Sequence, residues 1–332
     1  MITNLNNYKP KKKLGQGMIG TTFLVYKKGK KYALKIEHIL KKDVKKSLSS
    51  PVWREIEFAK KMGKKYPDQF MTLYGHDIID KCKHKQKYAF DLKMFPKNLQ
   101  KGIKAIAKSP YCARKLWSLI DFSLHEKLNK LNTKQIYSAI IQITNICYLM
   151  KKHGYSHNDL HPGNIGIKKT KKKYITIFSK RIPTFGYIYV AIDYGLVLHK
   201  KYKLNKEEKK KLKDPYLWYY QIQIIVNMLV DSLLWKYINK NKIKLAPYEK
   251  DLEIFKKHSI YNTLKKFSNN VHIQFRLCEM LFPEIYQQIV LKKQNTKKIL
   301  KMKYKTPKED VFYIMSNIDN YKNIVHYFAK KL

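Results

Sequence analysis

Tyr155-Ser156-His157-Asn158-Asp159-Leu160-His161-Pro162-Gly163-Asn164-Ile165-Gly166-Ile167 is the stretch whose reading decides the fold. It sets a carboxylate, Asp159, and an amide, Asn164, five residues apart in a loop, with Pro162-Gly163 turning the chain between them. Such a turn can bring one carboxylate and one amide oxygen to a single cleft. Oxygen ligands beside a base are what phosphoryl transfer with Mg²⁺ requires. Upstream, Thr133 can cap a helix whose apolar stripe is Ile136, Ile140, Ile143, Cys147 and Met150, and His153-Gly154 supplies its stop signal. Downstream, the apolar strand 187–192 ends on a second carboxylate, in Ala191-Ile192-Asp193-Tyr194-Gly195.

Near the start of the chain lies Leu14-Gly15-Gln16-Gly17-Met18-Ile19-Gly20-Thr21-Thr22-Phe23. Its three glycines let backbone approach a polyphosphate without Cβ clashes. In a dinucleotide-binding fold the third glycine opens a helix. Here the β-branched and aromatic run from Thr21 onward continues as a strand, so the loop joins two strands and that fold is excluded. Apolar runs at 21–26 and 31–36, joined by Lys27-Lys28-Gly29-Lys30, predict a hairpin. Alternation on its second strand puts Ala33 and Lys35 on the face away from Leu34 and Ile36. A lysine there, beside a small residue and under the glycine loop, can reach phosphate oxygens.

Ser50-Pro51 starts a helix with helical periodicity over 52–62. On it Glu55 shares a face with Val52, Ile56, Ala59 and Met62, whereas Glu57 faces Trp53, Lys60 and Lys61 and reads as a solvent residue. An inward carboxylate needs a cation, and Lys35 is the proposed partner. Further strands are expected near 70–79 and 87–94, and Pro96 and Gly102 punctuate the passage into a mainly helical second half. There Tyr219, Ile222, Ile225, Leu229 and Leu233 form a broad apolar stripe.

The chain has 332 residues, enough for one large domain or for two lobes sharing a cleft. Its formal charge is +46, and all but four of the 70 cationic residues are lysines. Spread along the whole chain and almost without arginine, they read as solvated faces rather than a dedicated nucleic-acid surface. Such a charge still favours acidic partners non-specifically, nucleic acid among them. Cys82, Cys112, Cys147 and Cys278 are far apart with no CxxC pair, which argues against a zinc site or a disulfide framework and suits an intracellular, reducing compartment. The N-terminus lacks the apolar core of a signal peptide, and the most apolar stretch, 221–238, is interrupted by Gln223, Asn227, Asp231 and Lys236, so no membrane span is expected.

Taken together, GxGxxG, the strand lysine, the helix glutamate, HxDLxxxN and Asp-aromatic-Gly occur in the order of the protein-kinase superfamily, which this chain resembles over residues 14–195. The resemblance implies an α+β, bilobal fold with a small β-rich N-lobe carrying one helix (1–95) and a larger, mainly α C-lobe (96–332). It implies that the loop from Leu14 to Thr22 covers the phosphates of ATP and that Lys35 holds them while pairing with Glu55. Asp159 would accept the proton of the substrate hydroxyl, and Asn164 and Asp193 would bind Mg²⁺. Adenine would be gripped near 92–94. DLHPGN resembles both haspin-like kinases and small-molecule phosphotransferases of the choline and aminoglycoside type. DYGL and residues 53–100, notably Phe95-Pro96-Lys97-Asn98-Leu99-Gln100, are similar to vaccinia-related and casein-kinase-like kinases. The lysine bias adds the look of a kinase encoded by a large DNA virus with an AT-rich genome.

Departures from the family pattern qualify the expectation. HRDLKPEN is here HNDLHPGN, with Asn158 and His161 in place of Arg and Lys, and Ala-Pro-Glu is absent, Asp214-Pro215-Tyr216 standing near its place. Between 196 and 214 the only hydroxyl is Tyr202. The missing arginine and the missing phosphosite agree, and predict an enzyme not switched on by phosphorylation of that segment. The lysine-rich 168–185 reads as an insertion lengthening a hairpin. The expected activity is ATP-dependent transfer to a serine or threonine of a protein substrate. The alternatives are transfer to a small molecule, or a catalytically weak scaffold of the same fold.

Overall fold

A computed structural model of the chain describes residues 2–84, 91–94, 97–213, 255–257, 259, 261–262 and 320–332. The helical stripe expected from Tyr219 to Leu233, Asp214-Pro215-Tyr216 and the Phe95-Pro96 pair lie outside the described residues. The protein is mixed α and β. In chain order it runs β1 (Lys12–Gln16), β2 (Gly20–Lys27), β3 (Lys30–Ile39), α1 (Lys41–Val44), α2 (Pro51–Phe58), β4 (Leu73–Ile79), α3 (Lys97–Ala107) and β5 (Tyr111–Trp117). There follow β6 (Phe122–Ser123), α4 (Leu124–Lys127), α5 (Thr133–Lys152), β7 (Tyr155–Ser156), β8 (Ile165–Lys169), β9 (Tyr174–Ile177), β10 (Lys180–Pro183), β11 (Tyr187–Ala191), β12 (Leu198–His199), α6 (Lys206–Lys213) and α7 (Tyr321–Ala329).

The first five strands form one antiparallel sheet in the order β1-β2-β3-β5-β4. The expected β2–β3 hairpin closes on Lys28 and Gly29, both at positive φ (48° and 72°), the backbone that a two-residue hairpin turn demands. Both sheet faces are covered, so β3 is apolar or charge-paired on both sides. Leu34 packs with Val25, Leu116 and the N-terminal residues Leu5 and Tyr8. Ala33, Ile39 and Trp117 instead join the main core with α2. Ser50-Pro51 opens α2 as read, with the proline at its first turn, and a π turn at Ala59–Gly63 continues it.

Phe58, fully buried on α2, ties this half to the next. Its ring meets Phe70, Tyr155 and Tyr194 at centroid distances of 5.5, 4.9 and 4.5 Å. Truncating such a ring to alanine costs about 3–5 kcal/mol. In the second half, α5 buries the stripe read from the sequence, but Asn132 rather than Thr133 caps it, in a reciprocal box with Gln135. The sheet β11-β8-β6 packs beneath α5, and α7 lies along it through Tyr137 against Phe328. The insertion 168–185 carries its own small hairpin, β9–β10.

Three expectations need correction. Among residues 87–94, the described Leu92–Met94 form a single 3-10 turn, and the fifth strand of the sheet is Tyr111–Trp117. Among the described residues, the last strand of that sheet in chain order ends at Trp117. Arg114 and Lys115 hid this strand by interrupting its apolar run. Second, Cys82 and Cys112 form a disulfide although 30 residues separate them. The pairing of Ile79 with Cys112 brings the two together, and linear spacing carries no trace of that register. Third, Glu57 is not a solvent residue, since the hydroxyls of Tyr155 and Tyr202 donate to it at 3.3 and 2.5 Å. No helix among the described residues is long and apolar enough to cross a membrane.

His76 on β4 lies opposite Lys115 and edge-on to Trp53, with ring centroids 5.8 Å apart. Burial, helped by the charge of Lys60, pushes its pKa down to about 4. An unfolded histidine titrates near 6.5. As pH falls from about 6.5 to 4 the unfolded chain therefore takes up a proton that the folded one refuses, and stability drops. Urea unfolding across this range should give a steeper loss for the wild type than for His76→Phe. Parallel curves would disprove the assignment.

Candidate active site

The turn between β1 and β2 is closed by Gly17 N–H donating to Gly20 O at 2.8 Å. Gly20 faces Glu37 so closely that a Cβ there would sit 2.7 Å from the Glu37 Cβ. Glycine is thus required at 20 by the sheet itself. Gly15 has open space where its side chain would be, and that space belongs to a cleft of about 430 Å³. Volumes of this size suit a small organic ligand. Of the expected loop, Leu14, Gly15, Gln16, Gly17, Gly20 and Thr22 line the cleft. Met18 and Ile19 do not, and Thr21 is buried on the other side, where its hydroxyl donates to Gln16 Oε1 at 3.1 Å.

Lys35 stands where alternation put it, between the glycine turn and α2. Its Nζ lies 3.0 Å from Asp193 Oδ1, 3.4 Å from Glu55 Oε1 and 3.4 Å from Glu37 Oε2. Burial acts to lower the Lys35 pKa, but Asp193, Glu55 and Glu37 outweigh it and hold the ammonium well above its usual value. Lys35 in turn is the main reason that the Asp193 carboxyl is held below the ordinary range, against burial. Both groups stay charged throughout the physiological range.

A second lysine completes the cluster and was not read from the sequence. Lys115 on β5 pairs across the sheet with Lys35 and is fully buried. Its ammonium donates to both Glu37 and Glu55. Burial and the neighbouring carboxylates push Glu55 up despite the two lysines, whereas for Glu37 Lys115 and Lys35 outweigh burial and lower it. The one available signal was that β3 carries Glu37 on the same face as Lys35, a second inward acid needing a second cation.

The opposite wall comes from the stretch that opened the reading. β8 and β11 are paired antiparallel, and Ile192 N–H donates to Asn164 O at 3.0 Å, which sets Asn164 beside Asp193 at one end of that pair. Asn164 Nδ2 donates to Asp159 O at 2.8 Å and to its Oδ2 at 2.9 Å. With the nitrogen committed, the amide oxygen is the atom left for a cation. The donor set of Asn164 and Asp193 is hard oxygen, which fits Mg²⁺. Asp159 stands at the mouth rather than in the lining, with 45% of its side chain exposed. His161 Nε2 lies 3.9 Å from it. His157 is buried and held below its usual pKa by that burial, with Nε2 on Ile192 O at 3.0 Å. Asn158, in the left-handed region at φ 61°, donates to Leu196 O at 2.9 Å.

The far rim is formed by Leu119, Ile120, Asp121 and Phe122, just after β5. Among the described residues expected near the adenine, Leu92 and Lys93 are not in the cleft lining. Together the site offers a glycine cradle, a fixed ammonium, two oxygen ligands and an exposed carboxylate. That set can hold a polyphosphate with a divalent cation and accept a proton at its mouth.

Removing one partner of a buried ion cluster leaves uncompensated charge, at about 3–5 kcal/mol. Lys115→Met should lower unfolding stability by that amount, and adding Glu37→Gln should recover part of it. Equal stability of Lys115→Met and wild type in urea would refute the clustered arrangement. Comparison with protein-family models finds no match, and comparison with curated proteins finds none either.

Proposed function

We propose that this chain has a bilobal protein-kinase-like fold and transfers the γ-phosphate of ATP to a serine or threonine hydroxyl of a protein. The observation that carries the reading is Lys35, held between Glu55 and Asp193 beneath the glycine turn and facing the Asp159–Asn164 pair. Lys35 would neutralise phosphate charge, and its three carboxylate neighbours fix it in place before any nucleotide arrives. Asp159 would take the hydroxyl proton, its carboxylate oriented by the Asn164 amide. Mg²⁺ on Asn164 and Asp193 would supply charge neutralisation for the transferring group. A half-exposed Asp159 and His161 form an open shelf among the described residues, which favours a protein acceptor, and the positive charge favours acidic sequence around it.

The segment after Asp193 supports the expected absence of a phospho-switch. Tyr202 is buried on Glu57 and so is a poor phosphosite. Arg54, next to Glu55 and 3% exposed, donates from Nη2 to Glu208 Oε1 at 2.7 Å. The other oxygen of Glu208 accepts from Asn205 N–H at 3.0 Å at the start of α6. A carboxylate in that place ties α6 to α2 with a permanent charge-assisted bond, the role a phosphate would otherwise fill. A second reading, transfer to a small cationic alcohol or sugar, is favoured by His161 in place of lysine in the Asp159–Asn164 stretch, its Nε2 3.9 Å from Asp159 Oδ1.

Purified protein with labelled ATP, Mg²⁺ and acidic or basic protein substrates should transfer label. Asp159→Asn should reduce transfer by about 10³-fold or more while the chain stays folded. Label appearing only on an amino alcohol or sugar would select the second reading, and ATP-independent partner binding unchanged by Asp159→Asn and Lys35→Met would select a scaffold. Phosphatase treatment should leave activity unchanged, whereas Glu208→Ala should cost roughly tenfold in kcat/KM, about 1.4 kcal/mol. Activity lost with phosphatase would overturn the permanent-bond account.

A further inference from the structure

We propose that Cys82, Cys112 and His38 form a zinc site in the reduced protein, at the place where the oxidised chain carries the Cys82–Cys112 disulfide. The three are brought together by strand register. His38 on β3 lies directly across from Cys112 on β5, and Cys112 pairs on its other side with Ile79, three residues before Cys82. Cys82 is held there by its own backbone, whose N–H donates to Pro110 O at 2.7 Å. The two sulfurs and a His38 ring nitrogen all lie within 4.8 Å of one another. A tetrahedral zinc with thiolate and imidazole ligands separates its ligand atoms by about 3.5–3.8 Å, so opening the disulfide and a modest side-chain rotation give the site. Two thiolates and an imidazole are a soft donor set that selects zinc over magnesium or calcium.

The His38 ring is held in place by the backbone around it. It is buried, with Nδ1 2.9 Å from Ser109 O and Nε2 2.8 Å from His84 O. Each ring nitrogen thus lies within hydrogen-bond distance of a backbone carbonyl. Zinc on one ring nitrogen would displace the carbonyl contact there, and the other N–H would keep donating to its backbone carbonyl as in zinc-binding histidines. Water would take the fourth position. His38 lies on the sheet face away from Lys35, so this site is separate from the cleft.

The chemistry balances with a dithiol as reductant. The disulfide takes up two electrons and two protons, the dithiol closes to its own disulfide, and zinc then displaces both thiol protons. A small-molecule disulfide, itself reduced to two thiols, takes back the two electrons, re-forms the protein sulfur–sulfur bond and releases zinc(II). In either state the base of the excursion between β4 and β5 stays clipped, so zinc does in a reducing compartment what the disulfide does in an oxidising one.

The test uses the full chain, reduced with dithiothreitol, freed of it anaerobically, and titrated with cobalt(II) and with zinc against a chromophoric chelator. One metal per chain and a thiolate-to-cobalt charge-transfer band are expected. Cys82→Ser and His38→Gln should each weaken zinc binding at least about tenfold, and Cys147→Ala should not. Cys82 is only partly buried, so its serine variant keeps the test valid even if the His38 variant misfolds. Sub-stoichiometric metal, binding unchanged in Cys82→Ser, or Cys82 and Cys112 still open to alkylation at saturating zinc would each overturn the proposal.

Discussion

Five buried or half-buried charges hold the two halves of this protein in register. Lys35 and Lys115 come from neighbouring strands, Glu37 from the same strand as Lys35, Glu55 from α2, and Asp193 from beyond β11. None of these ions is tolerable alone in a desolvated site, since each would cost several kcal/mol unpaired. Each partner is therefore a constraint on where a whole element sits. Glu55 can meet both lysines only if α2 lies against the sheet on that face, and Asp193 can reach Lys35 only if the end of β11 lies below the glycine turn.

Aromatic packing enforces the same geometry from the apolar side. Tyr194, the residue after Asp193, is 1% exposed and wedged against Phe58 of α2 and Trp117 of β5. Its hydroxyl donates to Ala191 O and accepts the Met71 N–H at 2.7 Å. Asp193 itself holds a left-handed backbone, φ 56°, between that wedge and the strand. Moving Tyr194 would therefore move Asp193 away from Lys35, and displacing α2 would undo both contacts at once. Ion cluster and aromatic cluster are two descriptions of one joint.

The site was legible where chemistry is local in sequence, and obscure where it depends on strand register. Gly20, Lys35, Glu55, Asp159, Asn164 and Asp193 announced themselves through spacing, alternation or a turn signal, and the structure brings them to one cleft or its mouth. Lys115 did not, because a lysine inside a strand looks like an interruption until its two glutamates are seen. The same blindness displaced the fifth strand from Tyr111–Trp117 and hid the disulfide, whose sulfurs meet only through the pairing of β4 with β5. Glu57 was misread for a related reason. Helical periodicity tells which residues share a face, but not that Tyr155 and Tyr202 arrive from elsewhere to cover it.

The charge count of the cluster bears on what it can hold. Three carboxylates against two ammoniums leave one negative charge in surplus. Glu37 and Glu55 are buried, at 6% and 2% side-chain exposure, so Asp193, paired with Lys35 at 3.0 Å, is the one acid of the three with about half its surface open, at 48%. A surplus buried deeper would destabilise the fold, whereas one at the cleft lining is screened by water until a cation replaces it. The arrangement thus sets a solvent-open carboxylate beside Asn164, with the Lys35 ammonium donating to it, in one cleft. For the proposed enzyme this division is what a metal-bound polyphosphate requires. A cation would meet Asp193 and a phosphate would meet Lys35, while Glu37, Glu55 and Lys115 behind them would not have to move.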